Sequence, residues 1–108
     1  MNKISVISLT VVASLAWAAP SFSADDAAVK ALAQKNNCLA CHAIDKKLVG
    51  PAYKEIAAKY KGDKAAEAKL IENVKKGSVG VWGQIPMPAN PNVKDEEAKT
   101  LVQWVLAM

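Results

Sequence analysis

Apolar positions recur along this chain at helical intervals, and no alternating strand pattern persists anywhere. From Asp25 or Asp26 to about Asn36, Ala28, Leu32 and Ala33 trace one apolar face, and the acids at the start suit the helix dipole. Pro51 can occupy a helix first turn and opens a short helix to about Tyr60, closed by Gly62, in which Glu55 and Lys59 form an i, i+4 pair. Asp63 is a fair N-cap for a third helix to about Lys76. Its Ala66, Leu70, Ile71 and Val74 share one side, Glu72 pairs with Lys76, and Gly77 is the stop. Asp95-Glu96-Glu97 places negative charge on the first turn of a last helix. Its Ala98, Leu101, Val102 and Val105 fall at i, i+3, i+4 and i+7, which predicts an inward face. Lys94 is a poor cap for that helix, so its start is expected to adjust to Asn92 or Asp95. Residues 77–93, with three Gly and three Pro, show no helical period and predict a long ordered or functional loop.

The first 24 residues differ from all that follow. Met1-Asn2-Lys3 is a positive start, Ile4 to Ala19 is mostly apolar, and Pro20 to Ala24 supplies a break and small residues. This predicts a secretory signal peptide over residues 1–24, cleaved after Ser23 or Ala24, and one domain over residues 25–108. An uncleaved membrane anchor is the alternative. The apolar stretch contains Ser5, Ser8, Thr10 and Ser14, however, and falls short of the roughly 20 apolar residues that span a bilayer. No stable membrane insertion is expected after cleavage.

Both cysteines of the mature chain and its single histidine fall in one run, Cys38-Leu39-Ala40-Cys41-His42. C-x-x-C-H reads as a covalent c-type haem attachment site. Two thiols add across the porphyrin vinyl groups, and the imidazole beside the second thiol reaches the iron. Residues three apart lie on one helix face, so two side chains so placed can grip one edge of a flat ring. A thioredoxin-like pair expects βαβ patterning that is not visible here. A structural zinc site needs four ligands, and a simple disulfide is awkward across one helical turn and leaves His42 unexplained. Export agrees with haem, because bacterial attachment occurs after translocation; the expected location is the periplasm. A domain of about 84 residues is near the size at which a core needs reinforcement, which a flat apolar cofactor supplies.

The second axial position decides between electron transfer and small-molecule binding. Met87 is the one well-placed thioether, since Met108 ends the chain and Met1 leaves with the leader. A lone methionine is ordinarily core filler. Pro86 and Pro88 change that reading by stiffening the backbone and fixing its projection. With His42 and Met87 as iron ligands, oxygen and substrates are kept off the metal, which favours an electron carrier over an enzyme.

All fourteen basic residues are lysines, and without Lys3 the domain carries thirteen against ten acids. The excess is slight, arginine is absent, and no basic stretch is interleaved with aromatics, so nucleic-acid binding is a poor reading. A local collar of lysines can still steer acidic partners.

Cys38 to Asp45, Val49 to Lys54, Gly77 to Pro88 and Gln103-Trp104-Val105-Leu106 together resemble a small bacterial class I cytochrome c of the c-551 (cytochrome c8) type. The resemblance implies an all-α class I cytochrome c fold, about four helices packed around one covalently attached haem c. It also implies that the Pro51 carbonyl accepts a hydrogen bond from the far nitrogen of His42, and that the Trp82 indole N–H bonds a haem propionate. Asn90 resembles the asparagine whose amide approaches the methionine sulfur, with Asn92 a competitor because Pro91-Asn92 lengthens the loop. Trp104 is expected to pack between helices rather than to relay electrons.

Departures from the family pattern are Asn37, where glycine often precedes the first cysteine, and Asn73, where a basic residue can meet a propionate. Asparagine tolerates the left-handed backbone that such a glycine adopts. The function implied is a monomeric periplasmic one-electron shuttle. Its redox partners are a membrane quinol-oxidising cytochrome complex and a periplasmic reductase, oxidase or peroxidase, met through Lys46, Lys47, Lys75 or Lys76. The alternatives are a haem enzyme or ligand sensor with an open iron, and a cytochrome subunit of a larger enzyme complex.

Overall fold

The computed structural model describes residues 26–108. The expected leader, its cleavage points and Asp25 lie outside the described residues. Four α-helices follow in order, α1 (Asp26–Lys35), α2 (Tyr53–Lys59), α3 (Ala66–Lys76) and α4 (Asp95–Leu106), with one 3-10 turn at Cys38–Ala40. Among the described residues the only extended pairings are two isolated bridges, His42 with Lys47 and Ser78 with Met87. The fold is all-α, as the apolar spacing predicts.

Helix ends fall where free backbone groups find partners. The α1 helix ends at Lys35, where the Asn36 backbone N–H and carboxamide both donate to the Leu32 carbonyl, at 3.2 and 3.0 Å, and Asn37 then turns the chain with a left-handed φ of 60°. Its inward face runs through Val29, Leu32 and Ala33, while Ala28 is exposed. The expected face was therefore off by one position, and the larger aliphatic takes the inward place. The α2 helix begins at Tyr53, two residues after Pro51, for a reason the local sequence hides. The N–H groups of Tyr53 and Lys54 donate to the carbonyls of Ala43 and Ile44 at 2.9 and 3.0 Å, and the Glu55 carboxylate turns back to accept from the Ala52 N–H at 3.2 Å. These bonds satisfy donors that a helix start leaves unpaired and tie α2 to the cysteine–histidine segment. Glu55 is thus committed backward, and the expected pair with Lys59 does not form.

Asp63 caps a turn ahead of α3 rather than α3 itself, its Oδ1 accepting from the Ala65 N–H at 2.9 Å. The Glu72–Lys76 pair forms on the outer face of α3 at 3.4 Å. The α4 helix starts at Asp95, and Lys94 precedes it with no side-chain acceptor for the first turn.

The α4 helix is the spine, packing against α1, α2 and α3. Its buried residues are the expected Ala98, Leu101, Val102 and Val105, and Val29, Ala33 and Val93 join Ala98 and Leu101 in one cluster. Ala33, Ala66 and Ala98 are wholly buried, so the helices approach closely at small side chains. Larger aliphatics such as Leu70, Val102 and Val105 instead line a groove. The fold thereby reserves its apolar centre for that groove.

Candidate functional site

The cysteine–histidine segment folds as a tight turn. Cys41 and His42 both donate their N–H groups to the Cys38 carbonyl, at 3.2 and 3.0 Å. In a 3-10 turn residues i and i+3 eclipse, so Cys38 and Cys41 stand one above the other. Both are free thiols and both line the groove. Burial pushes the Cys38 thiol above its ordinary range, with a backbone hydrogen bond partly opposing.

His42 is buried, 8% exposed, and its Nδ1 lies 2.7 Å from the Pro51 carbonyl oxygen. A carbonyl only accepts, so the proton sits on Nδ1 and the Nε2 lone pair is left for a metal. Two further contacts fix the ring. Tyr53 stacks on it at 5.1 Å between centroids and 22° between planes, and Trp104 meets Tyr53 edge-on at 5.6 Å. The Trp104 Nε1–H in turn donates to Asp26 at 3.2 Å, which ties α4 to the start of α1. Burial, reinforced by the nearby Cys38 charge, raises the Tyr53 hydroxyl well above its usual range. Gly50 passes so close to the imidazole that a Cβ there would sit 2.7 Å from His42 Cε1. Gly50 and Tyr53 thus support the site in ways that sequence reasoning assigned to neither, although both stand beside Pro51 in one of the motif segments.

Met87 sits on the 77–93 loop and lines the same groove. Its backbone is held on both sides: Ser78 N–H donates to the Met87 carbonyl at 3.0 Å, and Met87 N–H donates to the Ser78 carbonyl at 2.8 Å. Gly77, at φ 87°, allows this approach, since a Cβ there would lie 2.8 Å from the Met87 carbonyl oxygen. Asn90 closes the loop. Its Nδ2 donates to the Val74 carbonyl at 3.1 Å and to the Pro88 carbonyl at 3.2 Å, and its backbone N–H also donates to Val74, at 3.0 Å. The Asn90 carboxamide thus holds the end of the loop to α3 and to Pro88. Asn92, the competing candidate, is exposed.

Trp82 also lines the groove and is 38% exposed. The Lys59 Nζ lies 4.6 Å from the centroid of its ring. Of the four lysines proposed to steer partners, Lys46 and Lys47 are exposed without an acidic partner among the described residues, whereas Lys75 pairs with Asp95 and Lys76 with Glu72.

The groove is lined mainly by aliphatic side chains, with Cys38, Cys41, His42 and Met87 as its soft or metal-binding groups. Two eclipsed thiols, an imidazole with its tautomer fixed and a thioether on a pinned loop, in an apolar slot, fit a flat covalent haem. They do not fit zinc, because among the described residues no three His, Cys, Asp or Glu side chains gather as a metal cluster.

Four helices around such a slot define a class I cytochrome c. The chain belongs to the cytochrome c family, whose family model, Cytochrome c, matches residues 27–108. It is 58% identical over 76 residues to cytochrome c-551 of Pseudomonas aeruginosa, covering 70% of this chain and 72% of that protein. Over its whole length it is 46% identical to cytochrome c-551 of Stutzerimonas stutzeri, 99% of which is covered. The crystal structure of wild-type Nitrosomonas europaea cytochrome c552 superposes with a TM-score of 0.70 at 55% identity, covering 72% of this chain and 96% of that one. The chain is accordingly a small haem electron carrier of the c-551 type rather than an enzyme, and the family implies covalent haem c on its cysteines.

Proposed function

We propose that the protein is a periplasmic one-electron carrier with haem c attached through Cys38 and Cys41 and with His42 and Met87 as the axial iron ligands. One observation carries the reading. His42, whose Nδ1 is taken by the Pro51 carbonyl, lines the same groove as Met87, whose backbone is locked by two hydrogen bonds to Ser78. The haem supplies a one-electron couple, and a thioether ligand favours a higher potential than a second nitrogen.

The chain's own residues keep that couple simple. Pro51 holds the His42 ring and its tautomer, Tyr53 and Gly50 fix its plane, and the Ser78 and Asn90 bonds hold the methionine side in place. A site so supported has little to rearrange between charge states. The aliphatic lining excludes water and so strengthens these fixed interactions. An open-iron enzyme or sensor is disfavoured by Met87 in the groove. A dedicated subunit of a larger complex is separated from a free monomeric shuttle by co-purification at high salt. The expected partners are a membrane quinol-oxidising cytochrome complex as donor and a periplasmic reductase, oxidase or peroxidase as acceptor.

The leader reading completes the proposal: residues 1–24 direct export and are removed after Ser23 or Ala24. Expression in a bacterium competent for haem attachment, followed by intact mass of the denatured periplasmic protein, tests both parts. The expected mass is that of a chain beginning at Ala24 or Asp25 plus one haem, and the Cys38→Ala, Cys41→Ala double variant loses the haem. A haem-free native mass contradicts the attachment, and a mass retaining the leader contradicts the export.

A further inference from the structure

We infer that Lys59 supplies the cation for the haem propionate that the family resemblance places at the Trp82 indole N–H, so that ammonium and indole together seat one carboxylate at the groove. The inference rests on the haem reading above and assigns a cation that the sequence motifs leave unassigned.

The groove is almost without charge. No Lys, Arg, Asp or Glu lines it, its titratable groups are Cys38, Cys41, His42 and Tyr53, and residues 77–93 contain no charged side chain at all. Asn73, on the α3 wall, is neutral. Against this background the position of Lys59 is specific: its Nζ lies 4.6 Å from the Trp82 ring centroid and 5.9 Å from that of Tyr60. Two aromatic faces attract the ammonium and limit a flexible side chain that otherwise loses entropy when it pairs. No acid competes for it. The ion pairs among the described residues are Lys75–Asp95 and Lys76–Glu72, and Glu55, one turn before Lys59 on α2, is bound to the Ala52 N–H. The Trp82 indole N–H likewise has no acceptor among the described residues.

A lysine held over an indole whose own N–H is free presents one ammonium and one neutral donor on adjoining side chains. A carboxylate is the group that uses both, because charge-assisted hydrogen bonds are about twice as strong as neutral ones. Lys59 then favours the ionised propionate and lowers the pH at which it takes up a proton. That protonation removes a negative charge near the iron and raises the reduction potential, so the seat is readable as a step in the potential against pH.

The experiment is the reduction potential of the holoprotein from about pH 4 to 9, with haem content measured on each sample. In Lys59→Gln the step moves to higher pH, corresponding to a gain of about twofold to fivefold in propionate proton affinity, the range for an exposed pair. Lys59→Arg restores the native curve. Trp82→Phe, which keeps a ring beneath the lysine but removes the N–H, moves the step the same way, and about 1 M salt shrinks the Lys59→Gln difference. Superimposable native and Lys59→Gln curves at full haem content overturn the inference. So does an equal displacement in the distant control Lys30→Gln, since that reports net charge alone. Absence of haem from the native protein contradicts the underlying reading instead.

Discussion

Gly50 shows how much of the site depends on single atoms. The backbone N–H of this residue donates to the Cys41 carbonyl at 2.7 Å, and its missing side chain leaves room for the His42 ring. Gly50→Ala puts a methyl group 2.7 Å from Cε1 and 3.0 Å from Nδ1 of that ring, so either the imidazole or the 48–51 turn must move. The expected cost is about 1–3 kcal/mol, the usual range for forced overpacking, seen as a lower denaturation midpoint of the holoprotein with an unchanged denaturant slope. The thiols, imidazole and thioether were legible in the sequence because their types and spacing carry the chemistry. Gly50 and Tyr53 were not, because what they do depends on contact with His42 across a turn that no local pattern specifies.

Helices were legible as elements and less so at their ends. Apolar spacing located α1, α3 and α4, and Pro51 with Gly62 bracketed α2, yet α2 begins two residues after its proline because its first N–H groups are satisfied by Ala43 and Ile44. The inward face of α1 also follows Val29 rather than Ala28. Both departures are tertiary contacts overriding a local preference. At α4 the local reading held: Lys94 leaves the first turn without a side-chain acceptor. Lys94→Ser is expected to raise stability by about 0.5–2 kcal/mol, read from the denaturant midpoint. The 77–93 loop behaves as an element too, with Asn90 fastening it to the end of α3 through Val74. Asn90→Ala removes two side-chain hydrogen bonds, to Val74 and Pro88. Its expected cost is about 1–3 kcal/mol at roughly 0.5–1.5 kcal/mol per bond, together with faster capture of added cyanide by the oxidised protein as Met87 loosens. Unchanged stability and unchanged cyanide rates would show that Asn90 does not hold the loop.

Across the whole molecule, charge and apolar surface are arranged around one groove. Leu48, Val49, Val79 and Ile85 are exposed, while Lys46 and Lys47 beside the first two have no ion-pair partner among the described residues. Lysines of this kind speed encounter with an acidic redox partner without binding it tightly. The electron-transfer rate with an acidic partner is therefore expected to fall as salt rises, with a shallower slope in Lys46→Gln, Lys47→Gln; a rate indifferent to salt would remove electrostatic steering from the account. The all-α class was legible in the sequence because apolar positions recur at helical intervals with no strand alternation, and the resemblance around C-x-x-C-H implied the haem-centred arrangement. The Lys59–Trp82 contact was not legible, since it joins α2 to a distant loop. The most direct test of an iron held between His42 and Met87 is the visible spectrum of the reduced holoprotein before and after carbon monoxide. The native spectrum is expected to stay unchanged, with Met87→Ala binding the gas rapidly. Rapid binding by the untreated native protein would contradict the account.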